Sequence, residues 1–184
     1  ISAREALHDA IALREDIYSL FNLGHASLTD RAEADNIYWK IIRLATDNLS
    51  EEEIDQNFPK LKLQASDRYY CNFSVFQSLP DAWAINQVFP VMPIQRLHEE
   101  PDRQGFLVDI TCDSDGRLNN FPLEHSISPT LPLHSLKKHE PYLIGIFLTG
   151  AYQEILGDLH NLFGDTHAVH IRLDGDSYEL EQVV

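Results

Sequence analysis

The spacing of apolar residues along the chain changes from a helical to an extended period near residue 66. Up to that point apolar residues recur every three or four positions, whereas beyond it they form short alternating runs rich in aromatic and β-branched residues. The first pattern is typical of amphipathic helices and the second of β-strands. We therefore predict an α+β protein, with a helical segment at 1–66 and a β domain at 67–184.

The first helix has sequence signals at both of its ends. Ser2 and Glu5 have the spacing of a capping box, in which each side chain bonds a free backbone amide of the first turn. Gly24 stands where a helix commonly ends in a left-handed turn. These signals and the apolar period between them predict a helix over 3–23.

A second helix is predicted after the connector at 25–29, and the two helices are expected to form an antiparallel hairpin. Ser50 and Glu53 repeat the capping-box spacing and predict a short third helix, which Pro59 limits because proline breaks the helical hydrogen-bond pattern. The apolar positions that define the second helix are Ile37, Tyr38, Ile41, Ile42 and Ala45.

Extended runs define the predicted β domain. The segments 68–76, 105–112 and 142–149 are rich in aromatic and β-branched residues and predict strands. Near the C-terminus two alternating runs, 167–173 and 177–184, are joined by a DGD turn and predict a β-hairpin.

Prolines favour short strands and bent connections in this domain, so we expect a mostly antiparallel barrel or sandwich. One inserted helix is predicted at 151–162, where apolar residues share a face. Because the last predicted strand reaches the final residue, we expect the domain to be truncated at its C-terminus and the chain to be part of a longer protein. The prolines lie at positions 80, 90, 93, 122, 129, 132 and 141.

Charge and composition argue against several classes of function. The 184 residues include 14 Lys and Arg against 29 Asp and Glu, and the formal charge of −15 disfavours binding to nucleic acids and anionic membranes. No apolar run approaches the roughly 18 residues that span a bilayer. The two cysteines, Cys71 and Cys112, fit neither a disulfide framework nor a zinc knuckle, which favours a reducing cytoplasm.

The stretch ITCDSDGR at 110–117 combines a thiol with two carboxylates. It fails as a calcium loop beginning at Asp113, because the fifth and sixth positions are Arg117 and Leu118 rather than an acid and a glycine. The acids alone are compatible with a turn that ends a strand. Cys112 lies beside a carboxylate that disfavours its thiolate, so its chemistry suits a proton donor better than a nucleophile.

Two other patterns carry weaker chemical information. The TGAYQE junction at 149–154 places a glycine before a helix start, where backbone amides can bind a phosphate, but such junctions are common in mixed folds. A group of histidines and aspartates lacks the spacing of a zinc motif and is more typical of a surface. Its members are His160, His167, His170, Asp158 and Asp165.

Four stretches together resemble the biosynthetic arginine decarboxylases, a branch of the pyridoxal-phosphate-dependent basic amino-acid decarboxylases of alanine-racemase-like fold. They span nearly all of the chain beyond residue 66, and the helical first third is similar to the helical insertion of that family. The stretches are DRYYCNFSVFQSLPDAW (67–83), FPVMPIQRL (89–97), DITCDSDG (109–116) and GAYQEILGDLHNLFGDTHAV (150–169).

The resemblance implies roles for five residues. Cys112 matches the family residue that protonates the α-carbon after CO2 has left, and it does so in the active site of the neighbouring subunit. Asp113 matches the acid that pairs with the cationic end of the substrate, and Asp115 is a second candidate for substrate binding. Tyr152 matches the residue that contacts the cofactor and its phosphate, with Gly150 in the same motif.

The resemblance also implies a cofactor and partners. In the family, a lysine of an N-terminal (β/α)8 barrel holds pyridoxal phosphate, and L-arginine is converted to agmatine and CO2 for polyamine synthesis. The active site is shared in a dimer or tetramer, and the family suggests a magnesium dependence. The chain has no such barrel and no lysine in the required context, so it is expected to be inactive alone. Its lysines lie at positions 40, 60, 62, 137 and 138.

Two alternatives remain at this point. The chain could be a free-standing β domain for dimerisation or small-molecule binding, which an upstream barrel in the same reading frame would exclude. It could also belong to a decarboxylase of ornithine, lysine or diaminopimelate, although the HNLFGD and SLPDAW stretches are similar to the arginine branch.

Overall fold

The computed structural model describes residues 2–50, 54, 58, 60–110, 116–123, 125–157 and 164–183. The chain divides into two compact units, Ile1–Ser66 and Asp67–Val184, which we call the helical unit and the β-rich unit. The predicted α+β class, with helices followed by strands, is confirmed. None of the described helices is long and apolar enough to cross a membrane.

Two long helices form a hairpin in the helical unit. Helix α1 covers Ala3–Asn22, helix α2 covers Leu28–Asn48, and a short helix α3 covers Leu61–Ala65. The capping box predicted at Ser50 and Glu53 involves Glu53, which lies outside the described residues.

The ends of α1 follow their sequence signals. The Glu5 amide donates to the Ser2 hydroxyl at 3.2 Å, and the Ser2 amide donates to the Glu5 carboxylate at 2.9 Å. Gly24 adopts the left-handed φ of 77° expected after a helix end. A capping box that the sequence analysis did not identify, formed by Ser27 and Asp30, opens α2. Local side-chain chemistry therefore fixes where these helices begin.

The helical unit is held together by a hydrophobic cluster between its helices, because apolar residues recur on one face of each. Beside the cluster, Arg14 donates to the Asp35 carboxylate at 2.7 Å, and the Tyr18 hydroxyl donates to the same carboxylate at 2.8 Å. The buried members of the cluster are Leu7, Ala10, Tyr38, Ile42, Ala45, Ile54 and Leu61.

Strand β3, Arg103–Val108, is the centre of the main sheet of the β-rich unit. It pairs in parallel with β1, Asp67–Tyr70, and antiparallel with β4, Arg117–Leu118, and β7, Leu131–Leu133. The first half of β3 pairs with β7 and its last two residues pair with β4, so the sheet has four strands.

The described residues also form three antiparallel pairs of strands and three short helices. The pairs are β2 (Val91–Pro93) with β8 (Ile144–Ile146), β5 (Phe121–Pro122) with β6 (Ile127–Ser128), and β9 (Val169–Asp174) with β10 (Ser177–Val183). The helices are α4 (Val75–Ser78), α5 (Pro80–Ala84) and α6 (Ala151–Leu156).

The expected barrel needs correction, because the described residues form several small sheets and no closed barrel. The strands other than β3, β9 and β10 are two to four residues long, and prolines lie within or beside many of them. The predicted hairpin is confirmed, with Gly175 in the left-handed region at φ 59°. The predicted helix at 151–162 begins as expected, but its residues 158–162 lie outside the described residues.

The three strands predicted outside the hairpin are all wrong in their lengths. The strand predicted at 105–112 is β3, Arg103–Val108, which begins two residues earlier and ends before Asp109. The strand predicted at 68–76 ends at Tyr70, since the Ser74 hydroxyl accepts a hydrogen bond from the Gln77 amide at 3.1 Å and begins helix α4. The strand predicted at 142–149 is limited to β8, and Leu148 has a left-handed φ of 60° that extended backbone does not allow.

Candidate active site

The two motifs that the sequence singles out lie in the β-rich unit. On either side of the cysteine motif, Asp109 and Gly116 are described. Gly150 and Tyr152 are described at the start of α6. The candidate proton donor and substrate-binding acids lie outside the described residues: Cys112, Asp113 and Asp115.

Asp109 directly follows the central strand and precedes the cysteine motif in the sequence. Its amide donates to the carbonyl of Gly116 at 3.0 Å, which brings these two residues together. Its carboxylate is buried, with 1% of the residue exposed, and Oδ2 accepts a hydrogen bond from the Val75 amide at 3.1 Å. A Cβ on Gly116 would overlap this carboxylate, so only glycine fits there without a shift. Asp109 and Gly116, which flank the cysteine motif, are thus bonded to each other, and Asp109 is also bonded to the start of α4.

Helix α4 is linked in turn to the chain that follows α6. The Gln77 side chain is buried, and its Nε2 donates to Asp165 Oδ1 at 2.6 Å and to the Gly164 carbonyl at 3.2 Å. Gly157, directly after α6, lies so close to the Gln77 carbonyl that a Cβ there would overlap it. Close backbone approach therefore explains this glycine.

Helix α6 is attached to α5 by a reciprocal pair of hydrogen bonds. Gln153 is 6% exposed; its Nε2 donates to Asp81 Oδ2 at 2.5 Å, and its Oε1 accepts from the Asp81 amide at 3.2 Å. The preceding Tyr152 leaves 73% of its surface exposed. Nothing lies within 4 Å of a Cβ built on Gly150, which caps the helix. Gln153 therefore attaches the helix to α5, while the neighbouring Tyr152 remains exposed.

These contacts connect Asp109, beside the cysteine motif, with α6, which carries Tyr152, through the short helices α4 and α5. Asp109 bonds the start of α4, and α6 packs against both α4 and α5. The arrangement links the residues that flank the cysteine motif to the helix that carries the exposed Tyr152. It contains no complete set of catalytic groups among the described residues.

The other cysteine is not suited to nucleophilic chemistry. The Cys71 thiol contacts the Tyr69 carbonyl at 3.5 Å, and burial raises the pKa of Cys71 to about 11. The thiolate is the reactive form, so Cys71 stays protonated and unreactive near neutral pH.

The histidine group does not assemble a metal site in the described part of the chain. His167 and His170 are exposed, and Asp165 bonds Gln77 instead. No group of three or more His, Cys, Asp or Glu suited to a metal occurs among the described residues. His160 and Asp158 lie outside those residues.

Sequence reasoning missed Asp109, Gln77 and Gln153. For Gln77 a signal was present, because Ser74 and Gln77 have the S-x-x-Q spacing of a capping box. Asp109 and Gln153 have no comparable local signal, since their partners lie 34 and 72 positions away in sequence.

Comparison with known proteins gives consistent matches along the whole chain. Residues 2–61 match the arginine decarboxylase helical bundle domain. The chain is 52% and 50% identical over 181 residues to the biosynthetic arginine decarboxylases of Phocaeicola vulgatus and Bacteroides thetaiotaomicron, covering 98% of this chain and 29% of each relative. The crystal structure of the biosynthetic arginine decarboxylase SpeA from Campylobacter jejuni matches with a TM-score of 0.71 and 39% identity, covering 100% of this chain and 29% of that one.

The fold and these matches define the class of the chain, a decarboxylase-type helical bundle followed by a β-rich unit. More specifically, the chain is similar over 98% of its length to biosynthetic arginine decarboxylases, which confirms the resemblance read from the sequence. It spans about 29% of the length of the curated relatives it matches.

Proposed function

We propose that the chain is the helical-bundle and β-rich part of a longer, cytoplasmic arginine decarboxylase that uses pyridoxal phosphate. The enzyme converts L-arginine to agmatine and CO2 in polyamine synthesis. The observation that carries this proposal is the identity of about half of all residues to biosynthetic arginine decarboxylases along 98% of the chain.

The chain's part in the reaction is to supply a proton. Pyridoxal phosphate, when bound, accepts the electron pair left on the substrate by departing CO2. The α-carbon then takes a proton from the Cys112 thiol, which acts in the active site of the neighbouring subunit, and solvent returns the proton to sulfur. A neighbouring carboxylate disfavours the thiolate, so the thiol keeps its proton until the α-carbon requires it.

Substrate recognition is assigned to the acids of the same motif. Asp113 pairs with the guanidinium of arginine, whose planar fork a carboxylate can bind with two hydrogen bonds. Asp115 is the second candidate for this contact. Both acids lie between Asp109 and Gly116 in the sequence. Asp109 is hydrogen-bonded to Gly116 and to Val75.

The described residues fit a contact with the cofactor rather than its covalent attachment. The exposed Tyr152 offers a phenol to a group from outside this unit, and Gly150 leaves open space beside it. We assign the attaching lysine to the barrel of the longer enzyme, so the chain alone is expected to form no agmatine. A dimeric or tetrameric assembly and a magnesium dependence are carried over from the family resemblance.

Replacement of Cys112 in the full-length enzyme tests this assignment. Cys112→Ala is expected to lower kcat for agmatine by about 10²–10⁴-fold, the usual contribution of a positioned acid. When the α-carbon is not protonated, the amino nitrogen stays with the cofactor, so arginine and pyridoxal phosphate give CO2, 4-guanidinobutanal and pyridoxamine phosphate. Chromatography of agmatine and 4-guanidinobutanal measures the ratio of normal to abnormal turnover.

Cys71→Ala is the matched control, because it removes the other thiol and is expected to keep the normal rate. A wild-type rate in Cys112→Ala would show that this thiol is not the proton donor. A native reading frame without a barrel would instead favour a non-catalytic β domain.

A further inference from the structure

The buried carboxylate of Asp109 lies three positions before Cys112, at the end of the central strand. One of its oxygens, Oδ2, accepts from the Val75 amide at 3.1 Å. The other, Oδ1, is buried and has no hydrogen-bond partner among the described residues. A buried acceptor without a donor is destabilising, and an apolar side chain at this position would avoid that cost. Stability alone therefore does not explain an aspartate here.

The same residue makes three contacts beside the cysteine motif. Its amide bonds the Gly116 carbonyl at 3.0 Å, and its carboxylate fills the space where a Cβ of Gly116 would lie. Through Val75 it also fixes the start of α4, the helix whose Gln77 bonds the chain after α6. Asp109 therefore links the residue that follows the cysteine motif to α4, which packs against α6.

We propose that Asp109 is a positioning residue for the proton donor: its buried carboxylate and its backbone bond to Gly116 fix the two residues that flank the segment carrying Cys112. This inference rests on the proposed function. Proton transfer requires close and well-aligned groups, and a misplacement of about 1 Å can cost on the order of 100-fold in rate. Asp109 itself touches no reacting atom in this role.

The experiment uses the full-length holoenzyme with Asp109→Ala and Asp109→Asn. The alanine variant removes the acceptor for the Val75 amide, and we expect kcat to fall by about 10–100-fold. KM for arginine should rise as well, because Asp113 and Asp115 lie in the same segment as Cys112. The fraction of turnovers that end in 4-guanidinobutanal should rise. The asparagine variant keeps an acceptor toward Val75 and should recover most of the rate and the normal product ratio.

A matched control lies at the other end of the same strand. Asp102 precedes β3, is exposed, and accepts the Ser135 amide at 2.7 Å. Asp102→Ala also removes a carboxylate that bonds a backbone amide, but it is expected to leave kcat and the product ratio unchanged.

A variant on the other side of the cysteine motif tests the same contact. Gly116→Ala introduces a Cβ into the space of the Asp109 carboxylate and should raise the aldehyde fraction as Asp109→Ala does. The double variant should be no worse than the poorer single variant, because both changes disturb one contact. Gly116→Ala and Asp109→Asn also provide the readout if Asp109→Ala does not fold.

Two results would overturn the inference. One is a lower melting temperature in Asp109→Ala with an unchanged kcat and product ratio, which would indicate a structural role only. The other is an asparagine variant as defective as the alanine variant. If Cys112→Ala is defective while the Asp109 variants are normal, only this inference fails; if Cys112→Ala is normal, the proposed function fails.

Discussion

Both units bury hydrophobic side chains, but they differ in the polar side chains that they bury. The buried cluster of the helical unit is hydrophobic, whereas every buried polar side chain in the described part of the chain lies in the β-rich unit. Those side chains are Ser74, Gln77, Asp109, Ser128, Thr130, His134 and Gln153. Hydrophobic contacts are non-directional, while buried hydrogen bonds fix particular atoms to particular partners. Among the described residues, the helical unit is therefore held by hydrophobic packing, whereas the β-rich unit adds buried directional hydrogen bonds to its own hydrophobic core.

His134 illustrates this use of buried polar groups. Its Nδ1 lies 2.8 Å from the Tyr142 hydroxyl and its Nε2 lies 3.0 Å from the Glu99 carbonyl. The carbonyl can only accept, which assigns the proton to Nε2 and makes Nδ1 the acceptor from Tyr142. The Tyr69 hydroxyl donates to the His134 carbonyl at 2.9 Å, and burial is the largest cause that raises the pKa of Tyr69 to about 12. The chain around β7 is thus held by directional contacts.

The largest effect on stability is expected in the helical core. Ile42 is 0% exposed, and Ile42→Ala should lower the free energy of unfolding by about 2–4 kcal/mol through lost burial and a cavity. Leu44→Ala, at a position 63% exposed on the same helix, should change it by less than about 0.5 kcal/mol.

The chain offers one tryptophan in each unit for this measurement, Trp39 in α2 and Trp83 in α5. In a Trp83→Phe background, urea titration followed by Trp39 fluorescence measures the unfolding of the helical unit. Equal losses for the two alanine variants would contradict the hydrophobic account of this unit.

The difference between the units also explains how much the sequence could predict. Both long helices follow from local signals, because a capping residue and an apolar period act within a few positions. The β9–β10 hairpin was predictable for the same reason, since its register depends on a two-residue turn that contains Gly175. The two long helices and the hairpin were therefore read correctly, although the local caps at Ser27 and Ser74 were missed.

Features that depend on distant partners were not predictable. The strand predicted through Phe76 is interrupted where Ser74 caps α4 and Asp109, 34 positions from Val75, binds its amide. Nothing near Asp109 in the sequence indicates a buried carboxylate, and the residue was predicted only as a position of the strand over 105–112. The parallel pairing of β1 with β3 and the absence of a closed barrel among the described residues depend on long-range contacts as well.

A smaller effect is expected when a buried polar contact of the β-rich unit is replaced by an apolar one. Gln153→Leu keeps a similar volume but leaves the Asp81 amide and carboxylate without these partners. We expect a loss of about 1–2 kcal/mol in the free energy of unfolding, measured by Trp83 fluorescence in a Trp39→Phe background.

Gln182→Leu, at an exposed position of β10, is the matched control and should have almost no effect. If Gln153→Leu were stabilising, hydrophobic burial would outweigh the hydrogen bonds, and the contrast between the two units would be wrong.

The smallest effect is expected from an exposed ion cluster of the β-rich unit. Arg96 donates to Glu99 at 2.6 Å and Lys137 lies 3.3 Å away, and these contacts lower the pKa of Glu99 from 4.5 to about 2. The pKa of Glu99 is lower in the folded than in the unfolded state. Its contribution to the free energy of unfolding is therefore complete above pH about 4.5 and is lost as pH falls toward about 2. Urea titrations across this window should show a smaller decline for Glu99→Gln than for the wild type. High salt screens exposed pairs and should reduce that difference. If the free energy of unfolding declined equally in the wild type and in Glu99→Gln at low salt, the exposed ion pairs of Glu99 would make no measurable contribution to stability, unlike the buried hydrogen bonds of the same unit.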